Sequence, residues 1–155
     1  MLNFKKIELE DKEWIVPILR ESVISGCHQN FGNLFAWREI NDTKVAKVND
    51  FLVAKQFISN VKDIYLYPMG KGDVKPVIEE IIRSVDKNLI FAGLSPEEAN
   101  ELDELYPGKF IYDQVRDDYD YIYLLEKIVS LKGKKLHRKR NHVNAFIRNN
   151  LVWTF

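Results

Sequence analysis

The chain has 155 residues, of which 46% are apolar and 12% aromatic, with 23 basic and 23 acidic side chains and one cysteine. That length suits one domain, the composition excludes a disordered chain, and the lone Cys27 excludes a disulfide framework or a cysteine-rich metal or iron–sulfur site. No run approaches the ~20 apolar residues of a membrane helix and the first residues lack a signal-peptide core, so a cytoplasmic protein without a transmembrane segment is expected.

Residues 4–9 alternate and predict a strand. Asp11 can cap a helix in which Trp14, Ile15, Ile18 and Leu19 recur at helical spacing. After Gly26, a turn at residues 30–33 leads to a short helix over 34–40. Residues 44–48 and 51–55 flank Asn49-Asp50 as a two-residue hairpin, and residues 64–67 form a further strand closed by Pro68 and Gly70. Asp73 precedes an amphipathic helix with Val77, Ile78, Ile81, Ile82 and Val85 on one stripe. Residues 89–94 read as a buried strand, and Ser95-Pro96-Glu97-Glu98 as a helix start. Residues 110–112 and 119–125 read as strands, and residues 134–149 as a final helix after Gly133. The expected fold is α/β (α+β): a central mixed sheet flanked by helices on both faces, with an antiparallel hairpin and parallel crossovers.

The balanced net charge hides a split. Residues 1–126 carry 15 basic and 23 acidic side chains, whereas residues 127–155 carry eight basic ones and no acid. Lys132, Lys134, Lys135, Arg138, Lys139 and Arg140, with His137 and His142, crowd one stretch. Such a cluster fits phosphate contact, with RNA as the polyanion, or a solvated helix that neutralises an acidic body. No base-reading motif accompanies it. Arg140 falls beside the apolar stripe of Leu136, Val143, Phe146 and Ile147, so a carboxylate partner is expected, with Asp118 and Asp120 nearest in sequence.

A second candidate is the turn after residues 64–67. Gly70 and Gly72 let the backbone approach a ligand, the following helix start points N–H groups outward, and Lys71 and Lys75 add charge, which together suit a phosphate. The alternative is a tight turn whose Asp73 takes those same N–H groups. Tyr65 and Tyr67, or Tyr119, Tyr121 and Tyr123, alternate along strands and could line a core or supply a phenolic acid. Asp113, Asp117, Asp118 and Asp120 read as a solvated turn or as a source of a general base. His137 and His142 stand five apart, off a shared helical face, and Cys27-His28 are mere neighbours, so no metal site is expected. The sequence assigns no catalytic residue.

Residues 30–38 (Asn30-Phe31-Gly32-Asn33-Leu34-Phe35-Ala36-Trp37-Arg38), then Tyr67-Pro68-Met69-Gly70, Arg116-Asp117, Asp120-Tyr121-Ile122-Tyr123, Leu131-Lys132-Gly133-Lys134-Lys135-Leu136-His137 and Lys139-Arg140-Asn141-His142 occur in this order. Together they resemble a bacterial family of unknown function related to the C-terminal domain of phosphatidylglycerol lysyltransferase. The resemblance implies a GNAT-like acyltransferase fold over residues 1–132, a basic connecting helix over 133–150, and the start of a second such domain at 151–155. It implies a first half of a tandem protein, with a C-terminal GNAT domain or a homodimer partner against Leu151, Val152, Trp153 and Phe155. It further implies aminoacyl transfer from a charged tRNA; on that reading the basic helix contacts the tRNA or another phosphate-bearing ligand, and transfer is direct and needs no metal. Gly70-Lys71-Gly72 sits where simple acetyltransferases hold the pyrophosphate of coenzyme A, while Tyr67 stands where they carry Arg or Gln. A coenzyme A thioester as donor and a non-catalytic half-domain are the alternatives.

Overall fold

The computed structural model describes residues 2–22, 26–58, 61–85 and 88–150. The chain divides into two compact units, one ending at Tyr119 and the other beginning at Asp120. The expectation for residues 151–155 lies outside the described residues.

The first unit is a mixed, mostly antiparallel sheet. Its strands are β1 (Lys5–Lys6), β2 (Lys44–Val48), β3 (Phe51–Ile58), β4 (Val61–Leu66), β5 (Met69–Gly70) and β6 (Ile90–Ala92). They run in the order β1-β2-β3-β4-β6, with β5 also on β3; only β4 and β6 are parallel. The β2–β3 hairpin closes as expected at Asn49-Asp50, with Asn49 at φ 52°. β3 reads as nearly continuous apolar sequence because both its faces are buried. Leu52 and Ala54 join a core with Ile15 and Ile18 of α1 (Lys12–Glu21) and with Phe31 and Leu34 of α2 (Phe31–Ala36). Phe51 and Val53 join the opposite core with Val77, Ile78 and Ile81 of α3 (Lys75–Ser84) and Leu102 of α4 (Pro96–Leu105). Ser95 caps α4 as expected: its hydroxyl accepts the Glu98 N–H, and the Glu98 carboxylate accepts the Ser95 N–H.

Several boundaries move for local reasons. β1 is confined to two residues because Glu8 begins a 3-10 turn whose Asp11 carboxylate accepts the Glu8 N–H at 2.9 Å. Asp11 therefore makes no side-chain cap to α1. α2 ends before Trp37, where the Arg38 guanidinium lies 3.9 Å over the Phe35 ring and donates to the Phe35 carbonyl. β6 stops at Gly93, which turns at φ 69°.

The strands expected at 110–112 and 119–125 do not form. Their alternating pattern matches a strand, but no neighbouring ladder pairs with them, and propensity without a partner does not hold a strand. Ile111 and Tyr121 are exposed, a 3-10 turn occupies Arg116–Asp118, and α5 (Leu125–Ser130) forms where the second strand was expected to end.

The second unit holds α5, a 3-10 turn at Lys134–Leu136 and α6 (His137–Asn149). None of its described residues is buried. No helix among the described residues is long and apolar enough to cross a membrane.

Two stability predictions arise here. The Tyr106 hydroxyl is buried without a hydrogen-bond partner among the described residues. Removing it as Tyr106→Phe should leave the urea midpoint unchanged or raise stability by about 1–2 kcal/mol; a loss of that size would contradict the assignment. Asp11 is buried, and burial pushes its carboxyl up. The hydrogen bonds from Lys5, the Trp14 indole N–H and the Glu8 N–H outweigh burial and hold it below 3.8. With the folded value depressed, its contribution is full above pH 3.8 and is lost as pH falls through the folded value. Asp11→Asn should lower stability at neutral pH and flatten the acid limb of a pH–stability curve below pH 4; an unchanged acid limb would refute it.

Candidate functional site

The turn after β4 is tighter than a ligand cradle. Gly70 pairs with Phe51 and Met69 with Leu52, so the turn is stitched to β3. A Cβ on Gly70 would stand 2.4 Å from the Asp50 carbonyl oxygen, which explains the glycine by backbone packing. Gly72 lies at φ 120°. The Lys71 ammonium is 3.3 Å from the Glu21 carboxylate, both exposed. At the start of α3 the Asp73 carboxylate accepts the Lys75 N–H at 3.0 Å, Pro76 has no N–H, and the Val77 and Ile78 N–H groups both reach the Val74 carbonyl. The first-turn donors of α3 are thus engaged, and a carboxylate occupies the place an anion would take.

A polar cluster at the carboxyl ends of the parallel pair was not foreseen. Tyr67 follows β4 and Gly93 follows β6, the side of such a pair where α/β proteins place ligands. The buried Tyr67 donates its phenolic hydrogen to Glu101 at 2.9 Å. Burial, reinforced by this bond, pushes the phenol far above its ordinary range, so it stays protonated. One turn earlier on α4, Glu98 is 5% exposed. Burial pushes its carboxyl up, against the opposing hydrogen bonds from Ser95. Its second oxygen accepts from Gln29 Nε2 at 3.4 Å, and Gln29 in turn accepts the Gly26 N–H. The His28 ring fills the space over two glycines: a Cβ on Gly93 would come within 2.7 Å of it, and one on Gly26 within 2.9 Å. The cluster offers one neutral phenolic donor, one exposed carboxylate and one buried carboxyl. In the sequence, Tyr67 stood out by alternation, but Glu98 read only as a helix-start acid and Glu101 and Gln29 carried no signal. Their meeting depends on contacts separated by 34 and 69 residues.

The second unit presents the cations. Lys132, Lys134, Lys135, His137, Arg138, Lys139 and His142 are all exposed, and among the described residues none makes an ion pair. Arg138 and Lys139 stand four and three residues before His142 on α6, which places these three along one side of the helix. Arg138 and Lys139 stand in the first turn of α6, where the positive end of the helix dipole opposes them and favours an external anion. Arg140 is half-buried, and a backbone carbonyl serves it as a partner. Its guanidinium donates to the Leu131 carbonyl, which the left-handed turn of Leu131 at the end of α5 leaves free to accept. A peptide carbonyl meets the same need for a partner, and the bond ties the two helices of this unit together. The side chain of Asp118 lies outside the described residues.

Comparison with known proteins narrows the reading. The family model described as phosphatidylglycerol lysyltransferase, C-terminal, matches residues 20–155. No curated protein matches the chain. A solved structure, described as a conserved protein of unknown function from Bacteroides thetaiotaomicron VPI-5482, is similar at 36% identity with a TM-score of 0.85. The match covers 96% of this chain and 51% of that one, so this chain spans about half the length of the solved relative.

Proposed function

Because the chain belongs to the phosphatidylglycerol lysyltransferase C-terminal family, we propose that it is a GNAT-like domain of the aminoacyl- or acyltransferase type that draws its acyl group from a charged tRNA. The observation that carries this reading is the exposed set Lys132, Lys134, Lys135, Arg138 and Lys139, none of which makes an ion pair among the described residues, a surface suited to a phosphate backbone. In the transfer, an amine or hydroxyl of the acceptor attacks the ester carbonyl of the aminoacyl-tRNA. The ribose oxygen leaves, and the acceptor's proton passes to it. Proximity supplies much of the acceleration such a step needs. Tyr67 and Glu101 are the pair placed to hold or pass a proton at the carboxyl ends of β4 and β6.

A coenzyme A donor does not fit the turn at Gly70, Lys71, Gly72 and Lys75. Asp73 occupies the α3 terminus and the Lys71 ammonium lies on Glu21, so a pyrophosphate would meet carboxylates. A second reading, a half-domain completed by another GNAT domain or by a homodimer partner, is favoured by one observation. The second unit exposes Tyr121, Ile122, Leu125 and Val129, and none of its described residues is buried.

Incubation with tRNA carrying a labelled amino acid, in the presence of phosphatidylglycerol vesicles, tests the first reading. Label should move to lipid with the protein and not without it. Label that remains on tRNA would overturn the reading.

A further inference from the structure

We propose that His28 is the proton acceptor of the transfer step, its imidazole taking the hydrogen of the amine or hydroxyl that attacks the aminoacyl ester. This role rests on the acyl-transfer reading and deepens it by naming a catalytic residue.

The ring stands at the ligand end of the sheet. Leu66 and Ala92 are the last paired residues of the parallel strands β4 and β6, so Tyr67 and Gly93 follow side by side at their carboxyl ends. The His28 ring packs on Gly93, where a Cβ would stand 2.7 Å from its Cε1 and 2.8 Å from its Nε2. Gly26 borders the same ring, with a Cβ position 2.9 Å from Cε1. Two residues without side chains thus let the imidazole approach the strand end next to Tyr67. The ring is half-buried.

The turn that carries His28 is held by three sets of bonds. The Gln29 N–H donates to the Gly26 carbonyl at 3.0 Å, and Gln29 Oε1 accepts the Gly26 N–H at 3.0 Å. Gln29 Nε2 donates to the buried Glu98 of α4. Asn33 of α2 donates to the Cys27 carbonyl at 2.8 Å. The residues on either side of His28 are therefore tied to the turn itself, to α4 and to α2, which is the support a reacting side chain needs to keep its geometry.

The chemistry calls for a base that its neighbours do not supply. Tyr67 keeps its hydrogen and shares it with Glu101, whose carboxylate is thereby engaged. One Glu98 oxygen accepts from the Ser95 N–H and the other from Gln29. Of the chain's three histidines, only His28 precedes residue 120, where the second unit begins. Imidazole is the side chain whose ordinary proton affinity lies nearest neutrality, the range in which a general base works best. As the attacking nitrogen or oxygen bonds to the ester carbonyl carbon, its hydrogen passes to the imidazole. The bond from that carbon to the ribose oxygen breaks, and the imidazolium gives the hydrogen to the departing oxygen. The tRNA leaves with its hydroxyl restored, and the ring is neutral again.

Transfer of a labelled amino acid from tRNA to phosphatidylglycerol vesicles by the full chain tests the role. His28→Gln should lower kcat about 10²-fold, with KM for the charged tRNA and the thermal midpoint unchanged. His28→Ala should regain activity with added imidazole and not with pyrazole, a ring of the same size and far weaker basicity. Gly26→Ala, whose Cβ would push the ring aside, should lower kcat about 10-fold in the parent and have no further effect beside His28→Gln. A His28→Gln protein with parental kcat would overturn the role. So would a lowered thermal midpoint in that variant together with equal rescue of His28→Ala by the two rings, or independent, additive effects of Gly26→Ala and His28→Gln. A parent that moves no label removes the acyl-transfer reading and this role with it, whereas an active parent matched by His28→Gln removes the role alone.

Discussion

Replacing Gly70 by Ala is expected to destabilise the first unit by about 3 kcal/mol, near the upper end of what overpacking costs. The added Cβ would stand 2.4 Å from the Asp50 carbonyl oxygen and 2.9 Å from the Phe51 Cα, and both are backbone atoms that no rotamer change can move aside. Relief requires β5 to separate from β3. That breaks the Phe51–Gly70 and Leu52–Met69 pairs and loosens Leu52 and Met69 in one core and Phe51 in the other. Gly108→Ala is the useful contrast. That glycine has φ 67° and nothing within 4 Å of a Cβ, so only backbone strain of about 1–2 kcal/mol applies. Urea unfolding of the two variants checks the ordering. A Gly70→Ala protein as stable as the parent would mean that the turn is looser than its strand pairing indicates, and would restore it as a ligand cradle.

The combined change of Lys134, Lys135, Arg138 and Lys139 to Ala should reduce tRNA affinity at least about 10²-fold at roughly 50 mM salt, because each cation that neutralises a phosphate releases a counterion. The four side chains are exposed and without ion pairs among the described residues, so the loss should come without a change in thermal stability. Arg140 is the control from the same helix. Its guanidinium is committed to the Leu131 carbonyl, and Arg140→Ala should disturb the second unit's own packing more than a single exposed lysine would. Filter binding together with circular dichroism separates the two effects. Equal affinity of the parent and the fourfold variant would remove the basic helix from the account.

The antiparallel hairpin, the parallel β4–β6 crossover through α3, the Ser95 cap and the two-faced core were legible in the sequence because each rests on local signals. Asn49-Asp50 sets a turn, Ser95-Pro96 sets a helix start, and Val77, Ile78 and Ile81 recur at helical spacing. The strands at 110–112 and 119–125 were misread for a physical reason. Alternation reports what a segment would do beside a sheet, and the ladder that would hold it is not visible in its own residues. Arg140 was correctly seen to need a partner, but a carbonyl freed by the left-handed turn at Leu131 has no sequence signature. At the candidate site, the exposed basic run was plain from composition. The Tyr67–Glu101 and Gln29–Glu98 contacts were not, since they join a strand end, a helix and a loop that only the folded sheet brings together. The turn at Gly70 shows the opposite limit. Two glycines beside a helix start suit a phosphate or a close backbone contact equally well, and the Asp50 carbonyl decides for the second.

The most direct test of the central claim is the salt dependence of tRNA binding, followed by fluorescence anisotropy on the unmodified full chain. Tight binding at low salt, with log affinity falling against log salt at a slope of about −3 to −5, is predicted for four to six phosphate contacts from the basic run. Absent binding at low salt, or affinity that does not respond to salt, would contradict the assignment of these residues to a nucleic-acid backbone and with it the tRNA-dependent reading.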